Sequence, residues 1–349
     1  MLTPSKPNAL AQVAGTLAEW LEAPTADVRI DVTSQADPGD ALVAVGTTAF
    51  VVSWVPVGTV AAIARTVDRL QNIPVSANAI PLVAVPHMGE AGARLCRDAG
   101  VAWLDLSGNA RIARPGLRLV VDGRPNLFAR RGRPANVFAP KSSRIARWLL
   151  EHPGEPVTQR QIARAVDLDE GLASRVVSRL LADGLLARDD HGALHAPNPD
   201  LLLDAWAEAY DFAGHDILRG HVAARSGEDL VHVLADAFVE GGIEHAATGL
   251  AAAWLYTRFA GFRTTSMYVP AVPPANVLEC IGFREDPRGA NVWLVLPRDE
   301  GVFHGAREQD GVRCVHPVQA WLDLRAHPER AAEAADRLRS DLLTWSHDG

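Results

Sequence analysis

The stretch SSRIARWLLEHPGEPVTQRQIARAVDLDEGLASRVVSRLLADGLLARDDHGALHA, residues 142–196, decides how this chain is read. Its first apolar set, Ile145, Trp148 and Leu149, has the spacing of one helical face and stops at Pro153-Gly154. A second helix opens at Thr158, with Gln161 three residues on as a capping box, and ends after Val166. The turn over residues 167–171 starts a third helix whose buried stripe is Leu172, Val176, Val177, Leu180 and Leu181. Ser174, Arg175, Ser178 and Arg179 lie on the opposite face. Gly184 ends that helix, and residues 185–188 and 193–196 alternate about residues 189–192 as a two-stranded wing. Three helices and a wing in this order form a winged helix-turn-helix, which places its third helix in a DNA groove.

A partnerless helical bundle would show the same periodicities, and charge separates the two readings. The 349 residues carry 34 basic and 42 acidic side chains, net −8. Between residues 124 and 188 there are twelve basic residues against six acidic, a local excess of +6 that leaves −14 elsewhere. An acidic chain that gathers its cations around one module fits a local phosphate-binding face and discourages indiscriminate adhesion to nucleic acid. Asp167, Asp169 and Glu170 favour the dipole of the third helix and would repel phosphate if they pointed into a groove.

The chain is long enough for two or three cores, so domains are expected on both sides of the module. The expected divisions are an N-terminal α/β domain over residues 1–123, a basic arm over 124–140, the winged helix over 141–197 and a C-terminal α+β domain over 198–349. The N-terminal part alternates helix (9–21, 60–70, 89–99) with strand (28–32, 41–45, 49–55, 82–85, 101–106), and its strand order is not legible. Asp105, Ser107, Gly108 and Asn109 form either an acidic site at a strand end or a Gly-Asn hairpin turn into residues 110–113, and the turn is the simpler reading. After the wing, residues 200–212 read as a joining helix. Beyond them, helices at 230–239, 251–259, 318–324 and 329–343 mix with strands at 264–269, 292–296 and 312–315. Arg298, Asp299 and Glu300 could serve a site, though surface turns collect such residues and the charged turn is the simpler reading; His191 and His195 read as solvent-facing wing residues without further metal ligands.

Arg130, Arg131 and Arg133 in the arm suit a phosphate backbone as well as a solvated linker. Cys96, Cys280 and Cys314 are few, odd in number and far apart, so reduced structural thiols are expected. No apolar window approaches the roughly 20 residues of a membrane span, and no leader-like start is present, so a cytosolic protein with no membrane partner is expected.

Several stretches resemble one family. PLVAVPHMGEAGARLCRDAGVAWLDLSGNARI (81–112), NVFAPKSSR (136–144), LLLDAWAEAY (201–210), and NVWLVLPRDEGVF and HPVQAWLDL within 290–324 are similar to AbiEi-type antitoxins and regulators of type IV toxin-antitoxin systems. The resemblance implies a repressor-like protein whose winged helix binds inverted repeats in its own promoter. It also implies a C-terminal domain that counters a toxin of nucleotidyltransferase type. The DNA contacts it implies fall on Lys141, Arg144, Gln159, Arg160 and the face around Arg175 and Arg179. An N-terminal domain longer than in the shortest antitoxins leaves room for a stand-alone regulator. That domain also looks like a reduced restriction-endonuclease-like fold. Asp40 could supply one acidic residue, but Ser53 and Trp54 stand where a metal-binding carboxylate and lysine are required, so cleavage looks lost.

The leading expectation is a sequence-specific regulator and not an enzyme. Its DNA-binding residues are Arg130, Arg131, Arg133, Lys141, Arg144, Gln159, Arg160, Ser174, Arg175, Ser178, Arg179 and Arg188. Its expected partners are double-stranded DNA, a cognate toxin and a second copy of the chain, with no cofactor or metal. A nucleic-acid-processing enzyme and a metabolite-sensing regulator are the alternatives.

Overall fold

The structure is a computed structural model and describes residues 3–31, 40–72, 79–128 and 137–345. It divides into two compact units, Met1–Ala135 and Asn136–Gly349. In the first, α1 (Lys6–Trp20) precedes β1 (Val28–Asp31), β2 (Asp40–Val45) and β3 (Thr48–Trp54). Helix α2 (Val60–Asn72), β4 (Ala79–Val85), α3 (Glu90–Asp98), β5 (Ala102–Asp105), β6 (Ala110–Arg114) and β7 (Leu117–Val121) follow. The seven strands lie side by side in chain order. β3, β4 and β5 are parallel and the other pairs antiparallel.

Alternation along β3 explains the layering. Phe50, Val52 and Trp54 point to the core under α1, with Ala9, Leu10, Val13 and Leu17, while Val51 and Val55 point to the core under α2 and α3. On β6, Ala110 and Ile112 belong to the α1 core, and Leu117 and Leu119 of β7 pack against it. The strand β7 was not legible in the sequence, because its half-exposed alternation carries a weak apolar signal.

Asp105 is buried in a hydrogen-bonded knot. It accepts from the Met88 N–H at 3.0 Å, the Asn109 N–H at 2.8 Å and the Asn109 side-chain amide at 3.0 Å, with His87 Nδ1 at 3.2 Å. Asn109 in turn accepts from the Arg124 N–H at 2.7 Å, and the Leu127 N–H donates to Ser107 Oγ. Gly108 sits at φ +98°, a conformation L side chains rarely adopt, with the Arg124 side chain packed where a Cβ would lie. These residues close the turn and tie the start of the following segment to it.

The second unit begins with α4 (Ser143–Glu151), α5 (Gln159–Ala165), α6 (Glu170–Ala182) and the wing strands β8 (Ala187–Arg188) and β9 (Leu194–His195), followed by α7 (Pro199–Ala209). Its second half comprises β10 (Asp216–His221), α8 (Gly227–Glu240), β11 (Ala246–Thr248), α9 (Gly249–Thr257), β12 (Thr265–Tyr268), α10 (Ala275–Cys280), β13 (Arg284–Glu285) and β14 (Val292–Leu296). β15 (Arg307–Gln309), β16 (Val312–Cys314), α11 (Pro317–Leu324) and α12 (Ala331–Leu342) complete it. The sheet order is β13-β10-β14-β12-β11-β16-β15. The joining helix ends earlier than expected, because Tyr210 turns to extended backbone. Cys96 and Cys314 are free and buried, which pushes both thiols up to about 12, and Cys280 is free and exposed. Among the described residues no group of three or more His, Cys, Asp or Glu side chains could hold a metal, and no helix is long and apolar enough to cross a membrane.

A polar cluster lies in the core of this half. The carboxylate of Asp323, fully buried, accepts from Tyr210 and from Thr248 at 2.5 Å, Tyr268 at 3.1 Å and the Gln319 amide at 2.7 Å. His215 Nδ1 accepts from the Arg298 N–H at 3.1 Å, so its proton is on Nε2, which faces the Tyr210 hydroxyl at 3.2 Å. Burial holds His215 neutral, lowered to about 4, and lifts Asp323 from 3.8 to about 6 against the pull of its four donors.

The raised Asp323 value sets a pH dependence. Its folded-state value lies above its unfolded one, so its contribution to stability is fully present below about pH 4 and is lost as pH rises through about 6. The loss is on the order of 3 kcal/mol at about 1.4 kcal/mol per pH unit. The buried histidines act with the opposite sign, so the measurement is the difference between wild type and Asp323→Asn in urea unfolding from pH 4 to 7. That difference should grow as pH falls, and parallel profiles would contradict it.

Candidate nucleic-acid interface

The winged helix forms as its sequence indicates. Thr158 caps α5: its Oγ1 accepts from the Gln161 N–H, and the Gln161 side chain accepts from the Thr158 N–H. Asp169 caps α6 by accepting from the Leu172 N–H at 2.8 Å, so one of the acidic residues before the third helix is occupied as a cap. Glu170 lies 3.5 Å from Arg160, which offsets a second. Ala173, Val176, Val177 and Leu180 are the buried residues of α6, with Leu172 and Leu181 at the margin. Each wing strand is only two residues long, and Leu194 also bridges to Val157, which seats the wing on the strand-like segment before α5.

The outward face of α6 carries Arg175, Ser178 and Arg179, all exposed, with Ser174 half-buried. Lys141, Arg160 and Arg188 are exposed and Gln159 is half-buried. Arg188 donates to the Gly192 carbonyl at 2.9 Å and braces the wing turn. Arg130, Arg131 and Arg133 lie outside the described residues. Arg179 pairs with Asp183 at 2.9 Å while 64% exposed, and Arg160 is 70% exposed. Pairs of this kind contribute about 0.3–0.5 kcal/mol, less than the roughly 1–3 kcal/mol of a good base contact, so DNA can recruit both arginines.

Arg144 is different, because its side chain is engaged within the unit. Its side chain is only 11% exposed and grips Asp299 with both edges of the fork, Nε to Oδ1 at 2.7 Å and Nη2 to Oδ2 at 2.9 Å. Nη1 donates to the carbonyl of Val166, the residue that closes α5, at 3.2 Å. The bond to Asp299 raises the Arg144 pKa further. Moving Arg144 onto a phosphate would take three bonds away from the partly buried Asp299 carboxylate and the Val166 carbonyl at once. Asp299, read from sequence as an ordinary turn residue, is therefore the anchor of the winged helix on the C-terminal domain.

Arg147 was missed by sequence reasoning. One turn further along α4 it is buried, donates to Gln319 Oε1 at 2.5 Å and lies over the Trp206 ring at 5.1 Å. Through Gln319 it joins the Asp323 cluster. The available signal was the spacing of Arg144, Arg147 and Glu151, which marks a second face on a helix whose apolar face is Ile145 and Leu149. Trp148, placed on that apolar face from sequence, is only half-buried and stacks on His152 at 4.5 Å.

The anchor predicts coupling between distant positions. Arg144→Ala and Asp299→Ala should each lower unfolding stability by about 1.5–3 kcal/mol, and a double-mutant cycle should give a coupling of about 1 kcal/mol or more. Denaturant titration of the four proteins tests this, and additive effects would show that the pair is not an anchor.

Residues 139–193 match the MarR family. Residues 195–344 match the family described as transcriptional regulator, AbiEi antitoxin, type IV TA system. The seam between the matches falls inside the second unit. No curated protein and no solved structure matches the chain. By these matches the chain joins a MarR-type winged helix to an AbiEi-type antitoxin regulator domain, the two parts of a DNA-binding antitoxin regulator.

Proposed function

We propose that the protein is a cytoplasmic repressor that binds repeats in its own promoter as a homodimer and counters a partner toxin of nucleotidyltransferase type through residues 198–349. The observation that carries the DNA part is the α6 face. Arg175, Ser178 and Arg179 are exposed together on the helix that follows a capped helix and a turn, the position a recognition helix takes. Lys141, Gln159, Arg160 and Arg188 supply flanking contacts from the neighbouring elements, and Arg130, Arg131 and Arg133 supply phosphate contacts from the arm. Arg144 is left out of this set and positions α5 instead.

The toxin-directed part rests on the family description of residues 195–344. Co-expression with the product of an adjacent toxin-like gene tests it. Relief of growth arrest by the full chain, lost when residues 198–349 are altered, is the expected result.

The N-terminal unit is a degenerate restriction-endonuclease-like domain without cleavage in this reading. What supports it is register: Asp40 on β2 pairs with Ser53 on β3, and Ser53 Oγ accepts from Arg69 at 2.6 Å. The strand thus offers a hydroxyl bonded to an arginine where a second carboxylate would complete a metal site.

Replacing Arg175 and Arg179 together with Ala should leave the thermal transition in place and weaken binding to the fragment upstream of the chain's own gene by about 2–6 kcal/mol, at roughly 1–3 per contact. Unchanged affinity in a gel-shift titration would remove α6 from the interface. Incubated with supercoiled and linear DNA in Mg²⁺ or Mn²⁺, the protein should bind without cutting; cleavage abolished by Asp40→Ala or Asp105→Ala would make it an enzyme.

A further inference from the structure

The first unit carries cations that the winged helix does not explain. β6 and β7 pair antiparallel with Arg111 opposite Val120 and Ala113 opposite Arg118, so these four residues share one face of the ribbon. The reverse face is spent on the α1 core. On the Arg111 face, α2 and α3 cover β3, β4 and β5: the core beneath them takes Val51, Val83, Val85 and Trp103 and no described residue of β6 or β7. The ribbon is therefore bare there. Ala113 and Arg118 are exposed, Val120 is 42% exposed and Arg111 is half-buried.

Arg111 and Arg118 are diagonal neighbours, about 7–8 Å apart at the backbone and within reach of each other's long side chains. Arg114, opposite Leu117, alternates to the other face but is exposed at the hairpin tip, and Arg124 sits beyond β7, held over Gly108. Against four arginines the segment 110–124 has one carboxylate, Asp122. Among the described residues Arg111, Arg114 and Arg118 have no ion-pair partner, whereas Arg160, Arg179, Arg258, Arg313, Arg330 and Arg337 are each beside a carboxylate. In a chain of net charge −8, Arg111 and Arg118 on this face and Arg114 at the tip place three cations on a ribbon about 17 Å long whose two strands hold no carboxylate.

We propose that this face of the β6–β7 ribbon is a second binding surface for the phosphate backbone of double-stranded DNA, resting on the regulator reading above. Its cations match a polyanion and no carboxylate of the ribbon neutralises them. From β7 the chain runs through Arg124 into the segment with Arg130, Arg131 and Arg133 and on to Lys141, so the track is continuous in sequence with the arm and the winged helix. Charged residues also protect sheet edges from pairing with other chains, and β7 is an edge strand. That device accounts for Arg118. Arg111 lies one strand further in, where no edge needs protection.

The test uses the full-length chain with Arg111→Gln, Arg114→Gln and Arg118→Gln combined, and a second variant with Lys at all three positions. The probes are the fragment upstream of its own gene and a random duplex of equal length. Circular dichroism and thermal melting confirm that both variants fold. The glutamine variant should lose about 2–3 in the slope of log affinity against log salt, at about 0.9 per phosphate contact, or on the order of 10²-fold in affinity at about 0.1 M salt. The loss should be equal on both DNAs, with protection in a hydroxyl-radical footprint shortened and the lysine variant close to wild type. A wild-type slope and footprint would overturn the proposal. So would a glutamine variant that self-associates while keeping its DNA affinity, which would assign the arginines to edge protection. A wild-type protein with no preference for the upstream fragment would count against the regulator reading alone, since the random duplex still reports the slope.

Discussion

The fork of Arg144 on Asp299 is the constraint from which the second unit takes its form. A helix-turn-helix of this size buries little apolar surface by itself, and its first helix has to lean on something. Here α4 leans on α7 and α11, with Arg144 at one end on a turn of the C-terminal domain and Arg147 a turn later on Gln319 and Trp206. Because Arg144 also holds the Val166 carbonyl, the end of α5 and the turn leading into α6 are referred to the same anchor. The orientation of the recognition helix is thereby a property of the whole unit. The C-terminal domain is linked to the turn before α6 through two side chains, Asp299 and Arg144.

The chemistry of that route is polar where most cores are apolar. Arg147 donates to Gln319, Gln319 donates to Asp323, and Asp323 collects Tyr210, Tyr268 and Thr248 from three further elements. Buried networks of this kind are costly if one member is lost, since a charge or a hydroxyl is then left without a partner. They specify one arrangement more sharply than hydrocarbon contacts do. The cluster accordingly fixes how α7, β12 and α11 meet beneath the winged helix.

Magnitude sorts the arginines into two kinds. Exposed pairs such as Arg179 with Asp183 are weak enough to be traded for a phosphate or a base, whereas the enclosed fork of Arg144 is not. Arg114 and Arg118 are exposed and, among the described residues, have no ion pair to give up; they lie on the other unit. A protein with a net negative charge can in this way present several discrete positive surfaces without binding nucleic acid everywhere.

The sequence by itself determined the elements of the winged helix, because capping, turn chemistry and a 3.6-residue apolar period are local properties. Thr158 with Gln161, Gly184 after α6 and the stripe through Val176, Val177 and Leu180 could be read without any partner. For Asp105 and Asn109 it left an acidic site open beside the turn it favoured, and the bonds from Asn109 to the Asp105 carboxylate are those of the turn. Only the tertiary structure decided which of the described cations of the winged helix face solvent. Arg144 and Arg179 look alike along the chain, and it is the approach of Asp299, 155 residues away, that withdraws the first from solvent. The order of both sheets, the half-exposed strand β7 and the convergence of Tyr210, Tyr268 and Gln319 on Asp323 were likewise decided there. Pairing between strands and between buried polar groups is set by long-range packing that no local pattern encodes.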